Sequence, residues 1–242
     1  MSDTHRVSLV CCDVIGVAAV DGSVLERAFA EAIATQGIVT GTAAYVRSMV
    51  RFDRARGCAP ADVMHSLFPD DEIRAQAANL AFERSFRAAV DRFGVMPAPG
   101  ANEALAKLSA AGVRVCLMSC LSRPAFGFVL DRLGWRQRAD LVLCADDVPR
   151  GFPWPDLVLT AILRLGIGDV RDVAAVTSTE SGVLAASRAG ARLIAAVSGG
   201  MHDASRLRRA GATHVLPEVG DLPDLVAAQR GAPAVRAGTA SD

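Results

Sequence analysis

The chain has 242 residues, 51% hydrophobic and 21% charged, and its 26 basic side chains balance 26 acidic ones. That is globular composition with enough apolar material for a substantial core. The charge balance argues against a nucleic acid or an anionic membrane surface as partner. No apolar run reaches the roughly 18 residues of a membrane span, and the opening MSDTHR lacks a signal-peptide layout.

In chain order, VSLVCCDVIG reads as an apolar strand that ends in Asp13 and turns at Gly16. The next stretch is helical throughout: SVLERAFAEAIATQG, TAAYVRSMVRFDRARG, PADVMHSLF and DEIRAQAANLAFERSFRAAVDRFG follow one another, and no run between them reads as a strand. From residue 100 onward strand and helix alternate. GANEALAKLSAAG reads as a helix, VRVCLMS as a buried strand, and Pro124 to Leu133 as a helix. ADLVLCADD, DVAAVTS, RLIAAVSGG and THVLP follow as strands, separated by WPDLVLTAILRLGI, SGVLAASRAGA and DASRLRRAGA as helices, with DLPDLVAAQ last. Short connections between such elements predict an α/β fold, a Rossmann-like doubly wound parallel sheet covered on both faces. The expected division is a core over residues 1–16 and 97–230, an inserted all-helical cap over 17–96, and a disordered tail over 231–242.

Six cysteines (Cys11, Cys12, Cys58, Cys116, Cys120 and Cys144) show no CxxC spacing, and four lie in or at the ends of apolar runs. They read as buried free thiols in a reducing cytoplasm. His5, His65, His202 and His214 show no metal-ligand spacing, so a zinc site is not expected; His202 lies in a loop that could touch a ligand.

A strand ending in Asp, a helical insertion and then a doubly wound sheet resemble the haloacid dehalogenase (HAD) superfamily, in particular its phosphonatase-like subgroup. The blocks that carry the resemblance are VCCDVIG, LMSCLSRPAFGFVLDRLGW, ADDVPRGFPWPDLV and AAVSGGMHDASRLRRAGATHVLPEVGDLPDLV. The resemblance implies that Asp13 is a carboxylate nucleophile forming an aspartyl intermediate. It implies that Ser119 binds a substrate oxygen, with Cys120 beside it in the crevice. Cys120 reads either as a small buried thiol or as a catalytic one.

Five positions depart from the family pattern. The second acid expected two residues after Asp13 is Ile15, and the following hydroxyl position is Val17. The cation that would neutralise the phosphoryl group reads Phe152, with Arg150 two residues earlier either reaching in or solvated. The acids that hold magnesium read Ser178 and Gly182, with Glu180 between them at a place the family does not use. Magnesium wants hard carboxylate oxygens, so no metal or other cofactor is expected. Without a cation, a phosphoryl anion ~4 Å from Asp13 meets roughly 4 kcal/mol of repulsion at an effective dielectric of 20, about three decades in rate. Phosphonoacetaldehyde hydrolases form an imine on a cap lysine. The only lysine here is Lys107, and Arg51 falls near the expected place. Arginine cannot form the imine. Arg47, Arg51 and Arg54 recur at helical spacing, either gripping an anion in the crevice or forming a solvated face.

The substrate-binding candidates are therefore Ile15, Gly16, Cys120, Arg51 and Arg150, around the catalytic candidates Asp13 and Ser119. Three readings stay open: metal-independent chemistry on a small organic substrate, a non-catalytic ligand- or protein-binding module, and weak magnesium-dependent phosphatase activity with Glu180 as a displaced ligand. The resemblance also suggests a homodimer by analogy.

Overall fold

The structure is a computed structural model, and it describes residues 6–229. The expected tail over 231–242 lies outside the described residues.

The sheet has six parallel strands. They are β1 (Leu9–Asp13), β4 (Arg114–Met118), β5 (Leu141–Leu143), β6 (Val173–Thr177), β7 (Leu193–Val197) and β8 (His214–Leu216), in spatial order β5-β4-β1-β6-β7-β8. β1 is central, with Asp13 in register with Met118 and Cys12 paired to both Leu117 and Val176. All five residues of β1, β6 and β7 are buried. These strands read as continuous apolar runs because helices cover both faces of the sheet.

Alternation along β1 divides the core. Val10 and Cys12 face one layer with α5 (Ala101–Ala110), α6 (Arg123–Leu133) and the cap, while Leu9 and Cys11 face α7 (Asp156–Arg164) and α8 (Glu180–Ala189). α9 (Ala204–Arg209) and α10 (Leu222–Ala228) complete the layers. Helix boundaries follow local chemistry. Ser122 caps α6 ahead of Pro124, Thr179 caps α8 by accepting from the Gly182 N–H, and left-handed glycines Gly134 and Gly190 end those two helices.

The cap comprises α1 (Val24–Ala34), α2 (Ala43–Arg54), α3 (Pro60–Leu67) and α4 (Glu72–Phe93). Buried Phe29 and Ile33 of α1 and Phe82 and Phe86 of α4 share one core with small Ala75 and Ala78. Phe29 also stacks on Phe52 of α2 with ring centroids 4.4 Å apart. No strand lies between the four helices, but the all-helical reading of 17–96 needs correction at its two ends. β2 (Ala19–Val20) pairs antiparallel with β3 (Met96–Pro97), and the Ala98 N–H donates to the Ala18 carbonyl at 2.8 Å. This ribbon is the stem where the chain leaves and re-enters the core; two-residue strands are too short to show a period of two. Among the described residues no helix is long and apolar enough to cross a membrane.

Candidate active site

Asp13 ends β1 between β4 and β6, where neighbouring strands run out in opposite directions across the sheet. Crevices at the carboxyl ends of such strands are where open α/β sheets place ligands. The cap covers this one, leaving a cavity of about 50 Å³.

Asp13, Ile15, Ser119, Cys120 and Leu121 supply the floor; Phe29, Phe52, Val63 and Phe82 supply apolar walls from the cap. The cavity is mostly hydrocarbon, and Asp13 is only 5% exposed. Burial therefore pushes its carboxyl up to about 7, although the Val14 N–H and the Thr177 hydroxyl pull the other way. Thr177 donates to Asp13 Oδ2 at 3.5 Å. Ser119 is buried beside it, its Oγ accepting from the Leu121 N–H at 3.2 Å, so its own hydrogen remains to donate.

Cys120 lines the cavity, but its Sγ accepts from the Phe152 N–H at 3.2 Å and burial holds the thiol well above its ordinary range. A thiol kept neutral is a poor nucleophile, and this corrects the catalytic reading of Cys120.

Three expected contacts are not at the cavity. Arg51 donates to the Ser66 carbonyl and lines an outer groove of the cap with Arg47 and Arg54. The buried face of α2 is Ser48 and Phe52, which turns those arginines outward. Arg150 makes a two-point pair with Asp156 at 3.2 and 2.9 Å and lies over the Trp154 ring. Gly16 is structural: at φ 82°, a Cβ there would stand 2.6 Å from Ser178 Oγ. His202 is also a strut, its Nδ1 accepting from the Glu180 N–H at 3.0 Å.

The cation that does reach the cavity is Arg56, in the loop after α2. It is paired with Glu26 and, at 2.9 Å, with Asp53, so its charge is already balanced. The loop is pressed onto the core: Ser181 Oγ donates to the Arg56 carbonyl at 2.6 Å. Gly57, at φ 86°, has no room for a Cβ, which would collide with Ser181 Oγ and stand 2.5 Å from Thr179 Oγ1. Arg56, Thr177 and Thr179 were not singled out from sequence. The alternate hydroxyls in VTSTES, at a strand end, are the signal that could have found the threonines.

The donors at the crevice do not suit magnesium. Glu180 is engaged by Arg206 at 2.7 Å, and Ser178 is wedged against Gly16 and Gly200. A Cβ at Gly182 would collide with Thr177 Oγ1, so Thr177 fills the space a side chain at 182 would enter. That leaves Asp13 as the carboxylate lining the cavity, against a cation that wants several carboxylate oxygens in near-octahedral array. Among the described residues, no group of three or more His, Cys, Asp or Glu could hold a metal ion.

Residues 7–190 match the family of haloacid dehalogenase-like hydrolases. The chain belongs to that family. Among its relatives, the phosphonoacetaldehyde hydrolase of Pseudomonas paraeruginosa is 35% identical over 107 residues, covering 42% of this chain and 38% of that protein. The bifunctional riboflavin kinase/FMN phosphatase of Arabidopsis thaliana is 30% identical over 145 residues, 59% of this chain and 38% of that one. The matched stretch thus spans well under half the length of either relative. Among solved structures, a phosphonoacetaldehyde hydrolase-like protein from Oleispira antarctica superposes with a TM-score of 0.79 at 20% identity, covering 96% of this chain and 97% of that one. A hydrolase from Pseudomonas syringae gives 0.78 at 22%, covering 91% and 98%. These two likenesses establish the fold.

Proposed function

We propose that the protein is a hydrolase that uses the Asp13 carboxylate as its nucleophile, without a divalent cation, on a small and largely apolar organic substrate. The observation that carries this reading is a lone buried carboxylate at the crevice, walled by hydrocarbon and facing a cation already paired twice. An Asp13 oxygen attacks an electrophilic carbon; the new C–O bond forms as the leaving group departs with its electron pair. Water then attacks the aspartyl ester at its carbonyl, releasing the hydroxylated product and restoring Asp13. Ser119 is placed to donate to a substrate oxygen. The narrow cavity suits a small substrate.

Phosphoryl transfer has the named activities of the relatives in its favour, but here a dianion would approach Asp13 without a free countercharge. Phosphonoacetaldehyde hydrolysis is further disfavoured because the cap carries no lysine. The six free cysteines suit a reducing cytoplasm.

The test is a hydrolysis screen over phosphate esters, acyl phosphates and 2-haloacids, with magnesium and with EDTA, on wild type and Asp13→Asn. Turnover that survives EDTA and disappears in Asp13→Asn is the expected result. Turnover of phosphate esters that requires magnesium would overturn the metal-free reading. Silence across the screen would favour a binding module.

A further inference from the structure

An unbroken row of hydroxyls runs from the nucleophile to the cap. Thr177 Oγ1 lies 3.5 Å from Asp13 Oδ2 and 3.3 Å from Thr179 Oγ1; Thr179 Oγ1 lies 3.2 Å from Ser181 Oγ; and Ser181 donates to the Arg56 carbonyl at 2.6 Å. Thr177, Thr179 and Ser181 are all buried. We propose that these three side chains act as a hydroxyl relay, through which seating of the cap loop at Arg56 weakens hydrogen-bond donation to Asp13 and so couples the position of the cap to the protonation of its carboxyl.

The direction follows from counting hydrogens. Each hydroxyl has one to donate. A carbonyl only accepts, so with the cap seated the Ser181 hydrogen is committed to Arg56. Ser181 then offers its lone pairs to the Thr179 hydroxyl. Thr179 also accepts from the Gly182 N–H at 3.2 Å, and its remaining lone pair competes with Asp13 for the Thr177 hydrogen, which reaches Asp13 over a long 3.5 Å. When the loop lifts, Ser181 no longer has that acceptor. The row can reverse, with Thr179 donating to Thr177 and Thr177 donating fully to Asp13. A carboxylate that receives a stronger hydrogen bond is less basic and less nucleophilic. Closure therefore favours the protonated carboxyl of Asp13, and lifting of the loop favours the carboxylate.

The titratable neighbours do not offer the same coupling. Cys12 on the strand of Asp13 and Cys120 after β4 are buried thiols held neutral; Cys58 from the cap is partly buried, also raised by burial, and touches the relay at Ser181. Arg56 keeps its charge whether or not the relay is intact, paired within the cap to Glu26 and Asp53.

The catalytic meaning of the relay rests on Asp13 being the nucleophile, but its existence is readable without activity. The experiment is a ¹³C-carboxyl titration of Asp13 by NMR, assigned by difference from Asp13→Asn, in wild type, Thr177→Val, Thr177→Ser and Ser181→Ala. Thr177→Val removes the donor and should raise the midpoint by about one pH unit, and Thr177→Ser should restore it. Ser181→Ala frees Thr179 to turn inward, so the midpoint should fall by roughly half a unit to one unit. A midpoint that is unchanged or raised in Ser181→Ala would overturn the relay. So would a Thr177→Ser variant that behaves like Thr177→Val, since packing and not the hydroxyl would then matter. If the expected shifts appear while the hydrolysis screen is silent, only the enzyme reading fails. If the enzyme is active but the shifts are missing, only the relay fails.

Discussion

Asp13→Asn should change the pH dependence of stability. Burial holds the folded carboxyl at about 7, against 3.8 for the same group in an unfolded chain. The folded state thus keeps its proton where the unfolded state has lost it. The stabilisation from this raised value is complete below about pH 4 and is lost progressively as pH rises to about 7. The gap is about three pH units, and at about 1.4 kcal/mol each the loss is about 4 kcal/mol. An asparagine side chain does not titrate and fits the same site, so the variant should match wild type near pH 4 and exceed it by up to about 4 kcal/mol at pH 8. For a domain of this size that corresponds to roughly 8–16 °C in melting temperature. Urea unfolding of both proteins across pH 4 to 8.5 measures the difference directly, and titrations shared by the two cancel. A difference that stays constant to within about 1 kcal/mol would refute the reasoning. It would mean that water reaches Asp13 and that the cavity is not the low-dielectric space its walls suggest.

Two further substitutions probe how the cap is seated and why the crevice carries no second acid. Gly57→Ala combines a strained positive φ with a Cβ driven into Thr179 and Ser181, so it should destabilise by roughly 2–4 kcal/mol; lifting of the loop would show as faster labelling of cavity thiols Cys58 and Cys120 by a thiol reagent, and unchanged labelling with an unchanged melting temperature would refute the close approach. Gly182→Ala drives its Cβ into Thr177 Oγ1 and should cost roughly 1–3 kcal/mol in the wild-type chain. In a Thr177→Gly background the same change should be neutral or stabilising by up to about 1 kcal/mol, the helix preference for alanine over glycine, as read by urea unfolding; equal costs in both backgrounds would count against the exchange of space.

The sheet was legible because its strands are buried on both faces and so appear as unbroken apolar runs, such as LIAAV at Leu193–Val197. The placement of Asp13, Ile15 and Ser119 around one cavity followed from that topology. What could not be read is how the cap presents its charges. Helical spacing showed that Arg47, Arg51 and Arg54 share a face, but the phase that buries Ser48 and Phe52 points this face outward. Arg56 lies in a loop, where periodicity carries no information. Its position depends on the backbone at Gly57, which turns at a positive φ directly against Thr179 and Ser181. Cys120 lines the cavity, but its partner, the Phe152 N–H, comes from a segment 32 residues away, which residue spacing does not reveal.

The uncharged positions around Asp13 make sense only when taken together. Ile15 and Phe152 are buried apolar side chains, Ser178 is a fully buried hydroxyl, and the space beside Gly182 is filled by Thr177. A cluster of acids in this enclosed space would need a cation to hold it, and a free cation would need acids to balance it. Asp13, the carboxylate that lines the cavity, can remain because it can keep its proton at the cost of a raised pKa, and because Thr177 supplies a neutral donor. Chemistry at Asp13 must then begin from a site whose charge changes by one as the proton leaves. The hydroxyl row to Arg56 is the polar connection that lets the cap influence when that happens.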